Sequence, residues 1–411
     1  MKIAKLRLLS LTIFTAIAVN FLSMTFASEN KPAISDFNSL LSDPFLQLPT
    51  ENTVNVVWFT EFAGDRHLVK YGEQLKQQTT ANTTKLSRVR EDRDSQINNS
   101  PLKSERDIWR HEAVVSNLTP NQRVPYQVAS IRNGETIASD IFTLTSLPPA
   151  ETPLKILLTS DHQLMPMTTA NLAQVVKTVG RVDAVFLPGD LVNIPDRASE
   201  WFDDLNGGAF FPALQGRGNY QLERNGITTT YQGGEIIQHA PLFTAIGNHE
   251  VMGIVADSST LKQEFSQPQP RWVAQKNYSS KAIAPAENSP TKAEWIKNHS
   301  FNTDTYEEIF TLPKSEPGKK RYYATTFGDV RLISLYVTNI WRSPSLEAEA
   351  MGRYKESDTE INNPQAWVCG GNDIKDLSDS NDRIPNFDEC RIYKPIWRVI
   401  LDWFKSMSFV K

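Results

Sequence analysis

The chain has 411 residues, 40% of them hydrophobic and 22% charged, which allows two or more domains and a sizeable core. Its net charge is −4 and it has no long basic run, so composition gives nucleic-acid binding no support. Lys2, Lys5 and Arg7 make a positive start, Leu8 to Phe26 is almost wholly apolar, and small residues stand at Thr25 and Ala27. This is the pattern of a secretory signal peptide, residues 1–27, cleaved after Ala27. The same run is nearly long enough to span a bilayer as an uncleaved anchor. The small residues favour cleavage and an exported (periplasmic or extracellular) protein. No other stretch is long and apolar enough to cross a bilayer, so no membrane contact is expected after cleavage.

Residues 28–50 read as a polar lead ending in DPFLQLPT. NTVNVVWFTEF, with its alternation and β-branched residues, reads as a strand that opens an all-β domain over residues 51–147. Glu73 to Lys103 reads as a long polar loop. Short strands resume at IWRHEAVVSN, with a hairpin turn at Asn133-Gly134. NLTPNQRVPYQVAS, through Leu118, Pro120 and Tyr126, resembles the E–F corner of a fibronectin type III domain, which implies a β-sandwich whose Tyr126 hydroxyl ties the corner. SLPPAETP is the linker.

The pattern changes in residues 148–411. LKILLTSDH and VDAVFLPGD are near-continuous apolar runs, as expected of strands buried on both faces. Between them Leu172, Val175, Val176 and Val179 recur at helical spacing, with Thr168 or Thr169 to cap the start and Gly180 the end. Strand, helix and strand make a βαβ unit. APLFTAIGNHE ends a third buried run, so Asp161, Asp190 and Asn248 each fall just past a strand, where open α/β sheets build their sites. Gly-Asp and Gly-Asn pairs are common turn formers, and each motif alone reads as easily as a turn. The long segments between Asp190 and Asn248, and from Ile254 to Phe301, read as loops.

SDH, PGDLV and GNHE, in this order and each after a strand, resemble the calcineurin-like metallophosphoesterases. YYATTFGDVRLISLYVTN resembles that family's later hairpin, turning at Gly328-Asp329. The preceding β domain resembles the N-terminal domain of purple acid phosphatases. The implied fold is an all-β sandwich followed by a layered α/β/β/α domain. The implied activity is hydrolysis of phosphate esters by a hydroxide bridging two metals, Fe, Zn or Mn. On that resemblance Asp161 holds the first metal, Asp190 bridges the two and Asn248 offers its amide oxygen to the second. His249 serves the leaving group. His162 reads either as a further ligand or as a residue behind the ligands, and Glu250 as a positioning or capping residue.

Departures from the family pattern qualify this. Gln163 stands where many relatives carry a ligand His, and Asn193 where purple acid phosphatases carry a ligand Tyr. After His249 only His299 remains among the six His, and no Gly-His-x-His occurs. The chain therefore reads as cut short, ending on an apolar helix face at Trp397, Ile400, Trp403 and Phe404. Both metals are then expected to be under-ligated. The competing reading is a catalytically defective product whose sandwich acts as a binding or structural module. Cys369 and Cys390 bound a polar loop and, in an exported protein, are expected to form one disulfide. Oligomeric state and substrate identity are not legible.

Overall fold

The computed structural model describes residues 39–336, apart from 96, 98–102, 257, 268–270, 281–290 and 315–319. The signal segment, Cys369, Cys390 and the apolar C-terminal helix face lie outside the described residues. Among the described residues, no helix is long and apolar enough to cross a membrane.

The N-terminal part is built of antiparallel strands in two main sheets. One has the order β1 (Phe45–Gln47), β2 (Val54–Thr60), β8 (Trp109–Val115) and β5 (Asn82–Lys85). The other runs β10 (Glu135–Ala138), β9 (Val124–Arg132), β3 (Arg66–Tyr71) and β4 (Gln77–Thr80). A further strand, β11 (Phe142–Leu144), pairs with the start of β9. The short strands β6 (Arg90–Glu91) and β7 (Ser104–Glu105) pair with each other. The turn between β9 and β10 falls at Asn133-Gly134 as the sequence indicates, with both residues at positive φ.

Strand β2 explains the unbroken apolar run VVWF. Its alternate residues face two different cores. Val54, Val56 and Trp58 pack between the two sheets with Val69, Tyr126 and Val128. Val57 and Phe59 face the other way, into the core of the C-terminal domain with Trp201, Phe211 and Phe310. The outer face of this sheet is thus an interior surface.

Two expectations for this part are corrected. The lead is not merely polar: Phe45, Leu46 and Gln47 are buried and form β1. Leu46 N–H donates to the Ile237 carbonyl at 3.1 Å, and the buried Gln47 side chain accepts from Thr311 N–H at 2.7 Å. The stretch from Glu73 to Lys103 is not a loop, since it holds β4, β5 and β6. QQTT and NTTK stay mostly exposed at sheet edges, so they carry no apolar alternation, yet Thr suits an extended backbone.

The C-terminal part carries three parallel strands in the order β12 (Ile156–Leu158), β13 (Ala184–Leu187) and β16 (Leu242–Thr244). Helix α1 (Thr168–Thr178) crosses from β12 to β13. Strand β13 is buried throughout, as its sequence indicates. Strand β12 is not: Leu158 is 70% exposed, and among the described residues β12 is bonded on one side only. Helix α1 also differs from expectation. Neither Thr168 nor Thr169 caps it; the Thr168 hydroxyl instead donates to the His162 carbonyl at 3.2 Å. Val176 and Val179 remain exposed, and Gly180 leaves the helix at positive φ.

The long segments read as loops hold regular structure. Helices α2 (Ala198–Phe202) and α3 (Phe210–Leu214) and the hairpin β14 (Tyr220–Arg224) with β15 (Ile227–Tyr231) fill the first. Helices α4 (Leu261–Phe265), α5 (Arg271–Ser280) and α6 (Lys292–Asn298) lie in the second, followed by α7 (Asp304–Ile309). Short helices hid in Gly- and aromatic-rich sequence because their apolar residues, such as Trp201 and Phe211, are too few to show a period. The hairpin expected at Gly328-Asp329 forms between β17 (Tyr323–Phe327) and β18 (Val330–Ser334). The Tyr323 hydroxyl donates to the Thr244 carbonyl at the end of β16, at 2.7 Å.

The Tyr126 hydroxyl is also corrected. It donates not to its own corner but to the Gln238 carbonyl at 2.7 Å, just before β16. The corner tyrosine joins the sandwich to the parallel sheet.

Candidate functional site

Parallel strands end on one edge, and the loops leaving them there meet. Here three such loops bond to one another. Asp161 N–H reaches the Gly189 carbonyl at 3.4 Å, and Gln163 N–H donates to the Leu191 carbonyl at 3.1 Å, tying the loop after β12 to that after β13. His249 N–H donates to the Asp190 carboxylate at 3.1 Å, tying the loop after β16 to that after β13. Asp161 and Asp190 have φ of 55° and 54°, left-handed backbone at both carboxylates that aims each side chain off its strand.

Glycine makes the approach possible. A Cβ on Gly247 would lie 2.1 Å from the Asp190 carboxylate, and one on Gly189 would lie 2.6 Å from the Gly247 nitrogen. Gly189 also has φ of 99°, so an L side chain there meets both a clash and a strained backbone.

Glu250 holds the two Gly loops. It is fully buried, and its carboxylate accepts N–H donors from Asp190 at 2.9 Å, Leu191 at 2.7 Å and Gly247 at 2.7 Å. Burial pushes its pKa up to about 7, against the pull of those N–H donors. It is a structural clamp beneath Asp190, as the sequence reading anticipated for a positioning residue.

His249 sits in the 3-10 turn Asn248–Glu250. Its Nδ1 lies 2.8 Å from the Asn193 carbonyl, which can only accept, so Nδ1 carries a proton and Nε2 is the nitrogen left to serve a ligand. The Phe265 ring packs beside it, 5.2 Å away. Asn193 is itself held, its side-chain amide donating to the Gln163 carbonyl at 2.8 Å. Its role here is to present a backbone carbonyl to the imidazole.

The structure thus gathers Asp161, Asp190, Asn248 and His249 on bonded loops. His162 is not among them. Its ring is buried near Phe210, Nε2 is 3.4 Å from the Thr159 hydroxyl, and Nδ1 has no hydrogen-bond partner. Burial lowers its pKa to about 4 and keeps it neutral. Among the described residues, no group of three or more His, Cys, Asp and Glu side chains is arranged to hold a metal ion. Asp161, Asp190 and Asn248 are all oxygen donors, a set whose chemistry would fit a hard cation.

Sequence reasoning missed the buried charges behind the site. Asp92, Arg197 and Glu200 were not singled out. Glu200 accepts the N–H groups of Asn193 at 2.6 Å and Ile194 at 2.9 Å. Burial raises its pKa, offset in part by Arg197 and these N–H donors. The only sequence signal was charge inside otherwise apolar surroundings, as in DRASEWF.

Residues 42–146 match the family model described as purple acid phosphatase, N-terminal domain. That match and the two-sheet sandwich agree, and the chain is purple acid phosphatase-like in this part. Among solved structures, the purple acid phosphatase PPD1 from yellow lupin (Lupinus luteus) seeds is similar at 17% identity and a TM-score of 0.43, covering 71% of this chain and 43% of the lupin chain. The chain therefore spans less than half the length of that protein. Astrotactin-2, a vertebrate-specific and perforin-like membrane protein, is similar at 9% identity and a TM-score of 0.18, covering 34% of this chain and 25% of its own. No curated protein matches.

Proposed function

We propose that this protein is an exported, metal-dependent phosphoesterase that hydrolyses phosphate esters. The observation carrying this reading is the meeting of three strand-end loops that places Asp161, Asp190 and Asn248-His249 on one sheet edge, with left-handed backbone at both carboxylates. The N-terminal domain match supports the same class. Asp161, Asp190 and Asn248 would hold a cation or cation pair of the Fe, Zn or Mn type, which supplies charge neutralisation and an activated water.

The chain's own residues supply the rest. Glu250 holds Asp190 and Gly247 in place by backbone bonds. The Asn193 carbonyl keeps the proton of His249 on Nδ1, so a protonated ring can donate from Nε2 to the leaving-group oxygen, and a neutral ring can accept there. Either state leaves Nε2 as the working atom.

The test is turnover of an aryl phosphate ester by the purified full chain with added Mn²⁺, Zn²⁺ or Fe²⁺. The expected result is turnover that Asp190→Ala abolishes and that His249→Ala lowers by roughly 10²-fold or more, the usual weight of an acid–base group. No turnover with any of these metals overturns the reading and leaves the sandwich as a non-enzymatic module.

A further inference from the structure

We propose that Asp92, a residue of the sandwich domain, positions the His249 imidazole through two arms that converge on it. The inference rests on the reading of His249 as the leaving-group residue, and it adds a role for the N-terminal domain in the site.

Asp92 is buried in the segment between β6 and β7. Its carboxylate accepts from Ser95 Oγ at 3.2 Å and Asp94 N–H at 3.1 Å, which fix its own loop. Two donors from outside the domain also reach it. Arg197 Nη2 donates to Oδ1 at 3.1 Å and to Oδ2 at 3.4 Å, and Leu261 N–H donates to Oδ2 at 2.7 Å.

The first arm runs through Arg197. Its other terminal nitrogen, Nη1, donates to Glu200 Oε1 at 2.9 Å. The second Glu200 oxygen accepts both Asn193 and Ile194 N–H groups. The Asn193 peptide is thereby held with its carbonyl against His249 Nδ1 at 2.8 Å. A planar guanidinium between two carboxylates transmits position well, because its donors lie in a fixed fork.

The second arm runs through α4. Leu261 is its first residue, so the bond to Asp92 anchors the start of this helix. Four residues on, Phe265 lays its ring 5.2 Å from the His249 ring at an interplanar angle of 32°. Leu261 and Phe265 pack together with Ile194 and Met252, so the two arms also touch each other. The first arm fixes one nitrogen of the imidazole, and the second fixes its plane. Together they restrict both side-chain torsions of a residue whose work depends on alignment.

Neither arm touches the reacting atoms, so Asp92, Arg197 and Glu200 are positioning residues. Merely structural residues would leave the proton on Nδ1 of His249 whenever the variant folds. The experiment reads that proton directly, by nitrogen NMR of imidazole-labelled full chain at about pH 8, above the usual His range. His249 is assigned by the signal lost in His249→Gln. In the natural chain the neutral ring is expected to carry its proton on Nδ1. In Asp92→Asn and in Glu200→Gln the Nε2-protonated form is expected to appear, with kcat down about 10-fold and KM changed by less than about 2-fold. Arg197→Lys, which keeps a cation between the two carboxylates but loses the fork, is expected to show the same change more weakly, and it decides the matter if the other two do not fold. Folded variants whose proton stays on Nδ1 overturn the proposal. A natural chain that turns over no phosphate ester removes the proposed function, while the NMR result still decides the positioning role.

Discussion

In the sandwich, His67 and His111 stack with ring centroids 3.5 Å apart, ringed by the hydroxyls of Thr60, Thr83 and Ser130. At the loop end of the parallel sheet, Glu250, Glu200 and Asp92 are equally buried but accept backbone N–H donors or face Arg197. The first region buries neutral rings against neutral partners. The second buries carboxylates, and each replaces lost water with several directed donors. Burying charge is worthwhile where loops with little apolar surface must be held in one arrangement, and three strand ends meeting at a site are such a place. The sandwich has Trp58, Tyr126 and Phe142 to pack instead.

The largest effect expected from this contrast is that of Glu250→Ala. It orphans the three N–H groups of Asp190, Leu191 and Gly247, and such a loss costs on the order of 3–5 kcal/mol. Urea unfolding measures the loss, and amide exchange at Asp190 and Leu191 locates it. A loss below about 1 kcal/mol would mean that the glycine-rich loops hold themselves. Glu250→Gln, which keeps one strong acceptor, is expected to fall between the two.

The sandwich pair predicts a dependence on pH. Burial, helped by His67 and Arg110, lowers the His111 pKa to about 2, and burial also lowers that of His67. A histidine whose folded pKa lies below its unfolded value binds its proton in the unfolded chain first. Its stabilising contribution is therefore complete above about pH 6.5 and is lost as pH falls towards the folded value. For His111 alone the loss between pH 7.5 and pH 5 is about 2 kcal/mol. Urea midpoints at the two pH values, compared between the natural chain and His111→Gln, isolate it from other groups. Equal slopes in both proteins would show that protonation of the pair costs the sandwich nothing.

Much of this contrast was hidden in the sequence. The loop end could be placed because Asp161, Asp190 and Asn248 follow apolar runs and stand next to glycines, and both signals are local. The clamp at Glu250 was legible for the same reason. The carboxylates behind it were not, because Asp92 acts on residues far away in sequence and neither it nor Glu200 carries a periodic signature. His162 shows the limit on the site itself: its place beside Asp161 allowed either a ligand or a residue behind the ligands, and the structure buries its ring. In the fold, β13 was clear from its apolar run and β12 overstated by the same rule, since Leu158 stays exposed. The Thr-rich strands β4 and β5 were lost because an exposed edge has no face to bury.

Tyr126 joins the sandwich to the C-terminal part, which makes it the finest test of how separate the two parts are. Its ring packs in the sandwich core, and its hydroxyl donates to the Gln238 carbonyl just ahead of β16. Burial raises the pKa of the phenol well above its ordinary value, so it remains a donor at any working pH. Tyr126→Phe keeps the ring and removes one buried neutral hydrogen bond, which is worth about 1 kcal/mol. If the two parts unfold as one unit, the whole loss appears as a single shift of the urea midpoint with unchanged slope. If the bond chiefly registers one part against the other, the slope falls and fluorescence and circular dichroism transitions separate. The buried charges that cross the same boundary, Arg90 to Asp196 at 2.8 Å and Arg197 to Asp92 at 3.1 Å, favour the first outcome. They couple the sandwich to the site loops whether or not the tyrosine hydroxyl is present.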